Sequence, residues 1–385
     1  MSDNKFIPYG CQWIDEDDIN AVVDVLRSDY LTTGPKVLEF EKKFADYTGA
    51  KYAVSISNGT AALHAACFAA GIKEGDEVIT TPITFAASAN AVLYQGAKPV
   101  FADIDERTYN IDPKEIEKNI TNKTKAIIPV HFTGQPCDMY EIHKIAQKYN
   151  LMVIEDAAHA LGAEYKGKRI GSLSDMTIFS FHPVKHITTG EGGMITTNNE
   201  ELYEKLLLFR THGITRKREL FENADEGSWF YDQLCLGYNY RMTDIQCALG
   251  LSQLKKSDKF LSRRREIAEI YNKAFKELDG VIVPFQKEDR NSSWHLYVIR
   301  FELNKIRMSR KEIYNYLISQ NIGVNVHYIP VYYLSYYKKL GYKKGICKNA
   351  EKLYEEIITL PLYPKMSDED VEYVISAVKE VGECK

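Results

Sequence analysis

The chain contains no uncharged apolar run near the roughly 18 residues that cross a bilayer as a helix. Its opening stretch, residues 1–10, lacks the cationic start and apolar centre of a secretory signal. Both absences direct the expectation to the cytoplasm and away from a membrane. Positive charge is not in excess either: 49 Lys and Arg stand against 53 Asp and Glu, a net −4. That balance removes a general electrostatic drive towards nucleic acid or anionic lipid, while a local basic pocket stays open. No C-x-x-C pair occurs, and the odd set Cys11, Cys67, Cys137, Cys235, Cys247, Cys347 and Cys384 is widely spread. Isolated reduced thiols are therefore expected, not a disulfide framework or a zinc site. Internal repeats and low-complexity tracts are missing too.

What is present reads as a globular chain of two lobes. Its 385 residues exceed the roughly 250–300 at which a single core stops growing. Short β-branched runs at 53–57, 77–80, 99–103, 126–130 and 152–156 alternate with helical patterns at 60–70, 85–93, 113–119 and 139–149. Gly71, Gly96 and Asn150 stand near the helix ends as stop signals. This alternation predicts an α/β fold, a mostly parallel sheet sandwiched by helices. Two amphipathic helices, 15–28 and 37–47, precede it, the second closed by Gly49. From Thr243 a long helical pattern runs through Lys255–Arg265 towards Leu278, followed by a strand at 294–301 and a helix at 310–319. We therefore expect a large domain over 1–255, with the first dozen residues packing on a smaller α+β domain over 256–385. The run Arg263-Arg264-Arg265 reads as a solvated helix face.

In an open parallel sheet, ligands gather beyond the carboxyl ends of the strands. After 53–56 comes Ser57-Asn58-Gly59-Thr60 and then a helix, which offers free N–H groups and a positive dipole end to a phosphate. The plainer reading is a turn with Ser57 or Thr60 as helix cap. The strand 152–156 ends on Asp156, with His159 just beyond. A carboxylate there is often a turn residue. It could equally keep a pyridine nitrogen protonated so that the ring acts as an electron sink, with His159 bonding the ring hydroxyl or positioning Asp156. The strand-like run 176–181 is followed by His182-Pro183-Val184-Lys185-His186 and the glycine-rich turn 190–193. Pro183 breaks the backbone regularity. A lysine held in such a loop can lose its proton and form a Schiff base, whereas a solvated one rarely does. His182 and His186 would share one helical face and suggest a metal, but Pro183, the glycines and the lack of H-E-x-x-H argue against one.

The joint order of these residues is similar to the fold-type-I pyridoxal-phosphate enzymes, and within them to the DegT/DnrJ/EryC1/StrS family of nucleotide-sugar aminotransferases. The stretches that carry the likeness are L-T-T-G-P (31–35), S-N-G-T-A-A-L (57–63), T-P-I-T-F-A-A-S-A-N (81–90), E-D-A-A-H-A-L-G (155–162), S-F-H-P-V-K (180–185), G-E-G-G (190–193), G-Y-N-Y-R-M-T-D (237–244), Q-L (253–254) and V-H-Y-I-P-V-Y (326–332). The resemblance implies that Lys185 forms the Schiff base with pyridoxal 5'-phosphate, which alternates with pyridoxamine phosphate, and that it shuttles the proton. It implies that Asp156 pairs with the pyridinium nitrogen, that Phe85 stacks on the ring, and that Gly59, Thr60 and Ser180 hold the phosphate. Asn239 is implied to reach the cofactor of a neighbouring subunit, hence a homodimer with a shared active site.

Within the family the likeness is to the altrosamine transaminases of pseudaminic acid biosynthesis, carried by F-S-F-H-P-V-K-H-I-T-T-G-E-G-G (179–193) and I-P-Y-G (7–10). The expected reaction moves an amino group from L-glutamate to C4 of a UDP-linked 4-keto-6-deoxy-N-acetylhexosamine. Tyr9, His182, His186, Arg241, His327 and Tyr328 are the candidate substrate contacts, while the tyrosine-rich run 326–337 also reads as packing between domains. Other readings are an aminotransferase for another UDP- or dTDP-keto sugar, a sugar dehydratase on the same scaffold, and a cofactor-sensing regulator. The dehydratases of this family carry histidine where this chain has Lys185. The regulator lacks a basic helix-turn-helix before residue 15, and a dinucleotide enzyme lacks its G-x-G-x-x-G turn.

Overall fold

The computed structural model describes residues 6–223 and 226–383; residues 1–5 of the opening stretch and Cys384 lie outside them. Seven strands form the central sheet: β1 (Tyr52–Ile56), β2 (Glu77–Thr80), β3 (Lys98–Phe101), β4 (Thr124–Ile128), β5 (Met152–Asp156), β6 (Met176–Ser180) and β7 (Gly193–Thr197), in the spatial order β1-β7-β6-β5-β4-β2-β3. β2 through β6 pair in parallel. β7 runs antiparallel to both of its neighbours, β1 and β6.

The strands are apolar on both faces because both faces are covered. In β5, Val153 enters one cluster with Phe40, Phe44, Ile142 and Leu254. Ile154, one residue on, enters the opposite cluster with Ala62, Leu63, Leu206 and Phe209. The period-two alternation of side chains thus feeds two cores from one strand. The first cluster is closed by the helices Pro35–Thr48 and Met139–Tyr149, the second by Gly59–Ala69 and Glu200–Arg210. Gly49 ends the first of these helices at φ 76°, a left-handed conformation that glycine adopts without steric cost.

One helix, Asp244–Phe275, spans 32 residues, about 48 Å at 1.5 Å per residue. Thr243 opens it with a capping box: its hydroxyl accepts from Gln246 N–H, while the Gln246 side chain accepts from Thr243 N–H. Residue 255 falls inside this helix, so no loop marks the expected domain boundary. Leu251 and Leu254 belong to the first sheet cluster. Ile267, Tyr271 and Phe275 belong to another, built with Ile7, the strands Tyr297–Phe301 and Ile357–Leu360 and the helix Asp368–Glu383. We propose that the two domains divide within the helix, between these cores. Ile7 bridges to Ile322 and so ties the start of the described chain to the second core.

Two expectations fail here. The triple-arginine run is not a solvated face: Arg264 is 1% exposed and donates through Nη1 to the carbonyls of Trp294, His295 and Leu362. Those carbonyls compensate part of its desolvation, although burial still draws its pKa down to about 9. The strand expected from 294 begins only at Tyr297, because Trp294 sits at φ 48° in a left-handed turn. Among the described residues, no helix is long and apolar enough to cross a membrane.

Candidate active site

The carboxyl ends of β1, β5 and β6 open on a cavity of about 900 Å³. Gly59, Thr60, Phe85, Asp156, His159, Ser180, His182 and Lys185 all line it, joined by Tyr9 from before the first helix and by His327 and Tyr328 from the segment after the helix Arg310–Ser319. The parallel sheet makes this convergence automatic, since residues that follow successive strands emerge on one edge.

Asn58 caps the helix Gly59–Ala69 by accepting from Ala61 N–H at 2.8 Å. The N–H groups of Gly59 and Thr60 remain in the first turn, at the positive end of the dipole. A Cβ on Gly59 would lie 2.9 Å from Ser180 Cβ. The glycine therefore lets the helix start and the end of β6 close together, a cradle for phosphate with the Ser180 hydroxyl at its rim.

Asp156, 5% exposed, accepts from Ser88 Oγ at 2.6 Å and from Ala158 N–H at 3.2 Å. These donors hold the carboxylate in the cavity wall. Its neighbour Glu155 faces the other way, where it accepts from Thr177 Oγ1 at 3.2 Å and pairs with His131 Nε2 at 2.7 Å. Lys185 stands in the excursion between β6 and β7, which is pinned by Phe181 N–H to Gly192 O, Thr189 N–H to Phe181 O and Lys185 N–H to His182 O. Burial draws the Lys185 pKa down to about 8, against the opposing pull of Asp156. Loss of the amine proton near neutral pH is what Schiff-base chemistry requires.

His159 does not bond Asp156, so the positioning role weighed for it has no support in the geometry. Its Nε2 lies 3.1 Å from Tyr328 Oη, and its Nδ1 is buried without a protein partner among the described residues. That leaves a polar atom for a group bound in the cavity its ring lines. His327 Nδ1 meets Thr359 Oγ1 at 2.9 Å, and burial lowers its pKa to about 3.

Three candidates lie elsewhere. His186, four residues after the exposed His182, turns the opposite way, is buried and pairs with the carbonyl of Ser293 at 3.1 Å. It therefore does not line the cavity as a sugar contact. Asn239 is exposed and Arg241 half-buried, both outside their own chain's cavity. Sequence reasoning missed Ser88 and His295. Ser88 had a signal, the helical i, i+3 spacing from Phe85 that puts it on the same side. His295, 3.4 Å from Lys185 Nζ, had none, because 110 residues separate the two.

The cavity fits pyridoxal phosphate on its own evidence: a helix start narrowed by glycine, a held carboxylate and a lysine of lowered pKa. Comparison agrees. The sequence profile of the DegT/DnrJ/EryC1/StrS aminotransferase family matches residues 12–379. The spore coat polysaccharide biosynthesis protein SpsC of Bacillus subtilis is 47% identical, over 98% of this chain and 97% of its own length. A UDP-4-amino-4,6-dideoxy-N-acetyl-β-L-altrosamine transaminase of Campylobacter jejuni is 43% identical, over 96% of this chain and 95% of its own. Among solved structures, Helicobacter pylori PseC, an aminotransferase of pseudaminic acid biosynthesis, superposes with a TM-score of 0.91 at 35% identity, covering 98% of this chain and 100% of that one.

Proposed function

Since the chain belongs to the DegT/DnrJ/EryC1/StrS aminotransferase family and is a pyridoxal-phosphate-dependent sugar aminotransferase of fold type I, we propose that it transfers the amino group of L-glutamate to C4 of a UDP-linked 4-keto-6-deoxy-N-acetylhexosamine. The observation that carries this reading is Lys185, an amine of lowered pKa set in the same cavity as Asp156. Bound pyridoxal phosphate supplies an electrophilic aldehyde and a cationic ring that delocalises charge from the carbon losing its proton.

The chain's own groups do the rest. Asp156, fixed by Ser88 and Ala158 N–H, provides the anion for the ring nitrogen. Gly59, Thr60 and Ser180 bind the phosphate, and Phe85, 63% exposed in the cavity wall, supplies a flat face for the ring. Lys185 Nζ would carry the proton from the amino donor's carbon to C4′ of the cofactor in the first half of the cycle and from C4′ to C4 of the sugar in the second. Tyr9, His182, His327 and Tyr328 are the sugar-nucleotide contacts on this reading. Asn239 and Arg241, outside their own cavity, act from a second copy of the chain, so the working unit is a homodimer, placed in the cytoplasm.

The sugar is supported by the likeness to the Campylobacter and Helicobacter enzymes; the second reading is a different nucleotide-linked keto sugar, and the Bacillus relative is named only for spore coat polysaccharide biosynthesis. Incubation with glutamate and a panel of UDP- and dTDP-4-keto sugars, with products identified by NMR, separates the two. Amination of a UDP-4-keto-6-deoxy-N-acetylhexosamine with equimolar 2-oxoglutarate is expected. Turnover of another sugar alone would overturn the substrate, and sugar dehydration without 2-oxoglutarate would overturn the transfer.

A further inference from the structure

Behind Lys185 three imidazoles are packed together. The ring of His295 lies 4.3 Å from that of His159 and 5.5 Å from that of His186. Of the three, His295 reaches the lysine, with Nε2 3.4 Å from Lys185 Nζ. It comes from the segment leading into the strand Tyr297–Phe301, and its backbone is held at both ends. Its N–H donates to Thr133 O at 2.8 Å, and its carbonyl accepts from Arg264 Nη1 at 3.1 Å. Next to it, Ser293 Oγ donates to the carbonyl of His159 at 2.8 Å. The residue is 4% exposed, and among the described residues its Nδ1 is buried without a partner.

Burying an imidazole with one nitrogen unsatisfied costs stability that an apolar side chain of similar size would not. The other nitrogen is aimed at the reacting amine. We propose that His295 is the positioning residue of Lys185, holding the ε-nitrogen by a hydrogen bond whenever that nitrogen is free of the cofactor. This rests on the reading of Lys185 as the base that carries the cofactor.

The contact needs no proton transfer to the imidazole. Burial, with Lys185, His159, His186 and Arg264 around it, keeps His295 uncharged at neutral pH. Asp156 is the anion acting on the lysine. When Lys185 has taken up a proton, its ammonium donates one N–H to His295 Nε2 and keeps the proton. The amine is thus held in one place through a cycle that displaces and recaptures it.

The test uses His295→Phe, which keeps a flat ring without nitrogen, and His295→Gln, which restores polar atoms. In cofactor-free protein, the pH midpoint of Lys185 is read by competitive labelling with acetic anhydride and peptide mass spectrometry. In loaded enzyme, kcat and the KM for glutamate are measured. His295→Phe should lower kcat roughly ten- to a hundredfold, the cost of a misplaced reacting group, with KM changed by less than about twofold. It should also lower the Lys185 midpoint, because the ammonium loses an acceptor, and His295→Gln should recover both. A wild-type midpoint and wild-type kcat in His295→Phe would overturn the proposal. If that variant does not fold, the ¹⁵N-histidine NMR spectra of cofactor-free wild type and Lys185→Met decide: the His295 Nε2 resonance must move when the amine is removed, and an unmoved resonance overturns it. Wild-type protein that takes up no pyridoxal phosphate would instead sink the reading of Lys185, while the labelling still reports the contact.

Discussion

At Lys185 burial and Asp156 act on one amine in opposite directions, and burial prevails. The sign of the pH dependence follows. Below pH 8 the amine is mostly protonated and inert; through about 8 it becomes free. Uptake of pyridoxal phosphate by cofactor-free protein should therefore rise with pH and level off just above 8. An uptake rate that keeps climbing towards the ordinary lysine range near 10.5 would contradict this. Lys185→Ala should abolish turnover with the fold intact, and borohydride should leave no phosphopyridoxyl group on the peptide that holds position 185. Asp156→Asn should lower kcat by orders of magnitude, because it withdraws the anion from the ring. Ser88→Ala removes the hydrogen bond to that anion, worth about 1.5–3 kcal/mol when one partner is charged, together with the weaker neutral contact to the Thr84 hydroxyl. It should cost roughly ten- to a hundredfold in kcat, with the circular dichroism unchanged.

At the scale of elements, the phosphate cradle depends on how near one helix start comes to one strand end. Gly59→Ala would drive a methyl group to 2.9 Å from Ser180 Cβ, and something must shift. Equilibrium dialysis should show pyridoxal phosphate bound at least about tenfold more weakly, a change of roughly 1.4 kcal/mol. The long helix from Asp244 to Phe275 depends on its capping box, so Thr243→Ala should lower unfolding stability by about 1 kcal/mol, measured in urea.

For the whole molecule, the position of Asn239 outside its own cavity makes completeness of the site a question of assembly. If a second copy supplies Asn239, Lys185→Ala and Asn239→Ala chains, each inactive, should complement when mixed. Random reassortment makes about half the dimers mixed, each with one intact site, so roughly a quarter of wild-type activity should return. No recovery after verified subunit exchange would count against a shared site.

Much of this chain was legible before any coordinates. The strands at 77–80 and 152–156 and the helices at 139–149 and 310–319 carry their own periodicity and caps, and appear at those bounds. Asp156 was visible at the end of one apolar run and Lys185 in the loop after another, because an open parallel sheet brings such positions to one edge; the part of Ser180 was implied by the family resemblance alone. Local pattern could say nothing about contacts between distant segments. It could not tell that Arg264 turns inwards onto three carbonyls, that His186 faces away from the cavity while His182 lines it, or that His295 meets Lys185. Those outcomes depend on which side of a helix or loop meets the rest of the molecule. That is settled only when the second core closes against the sheet and desolvation, not spacing, decides which charges stay exposed.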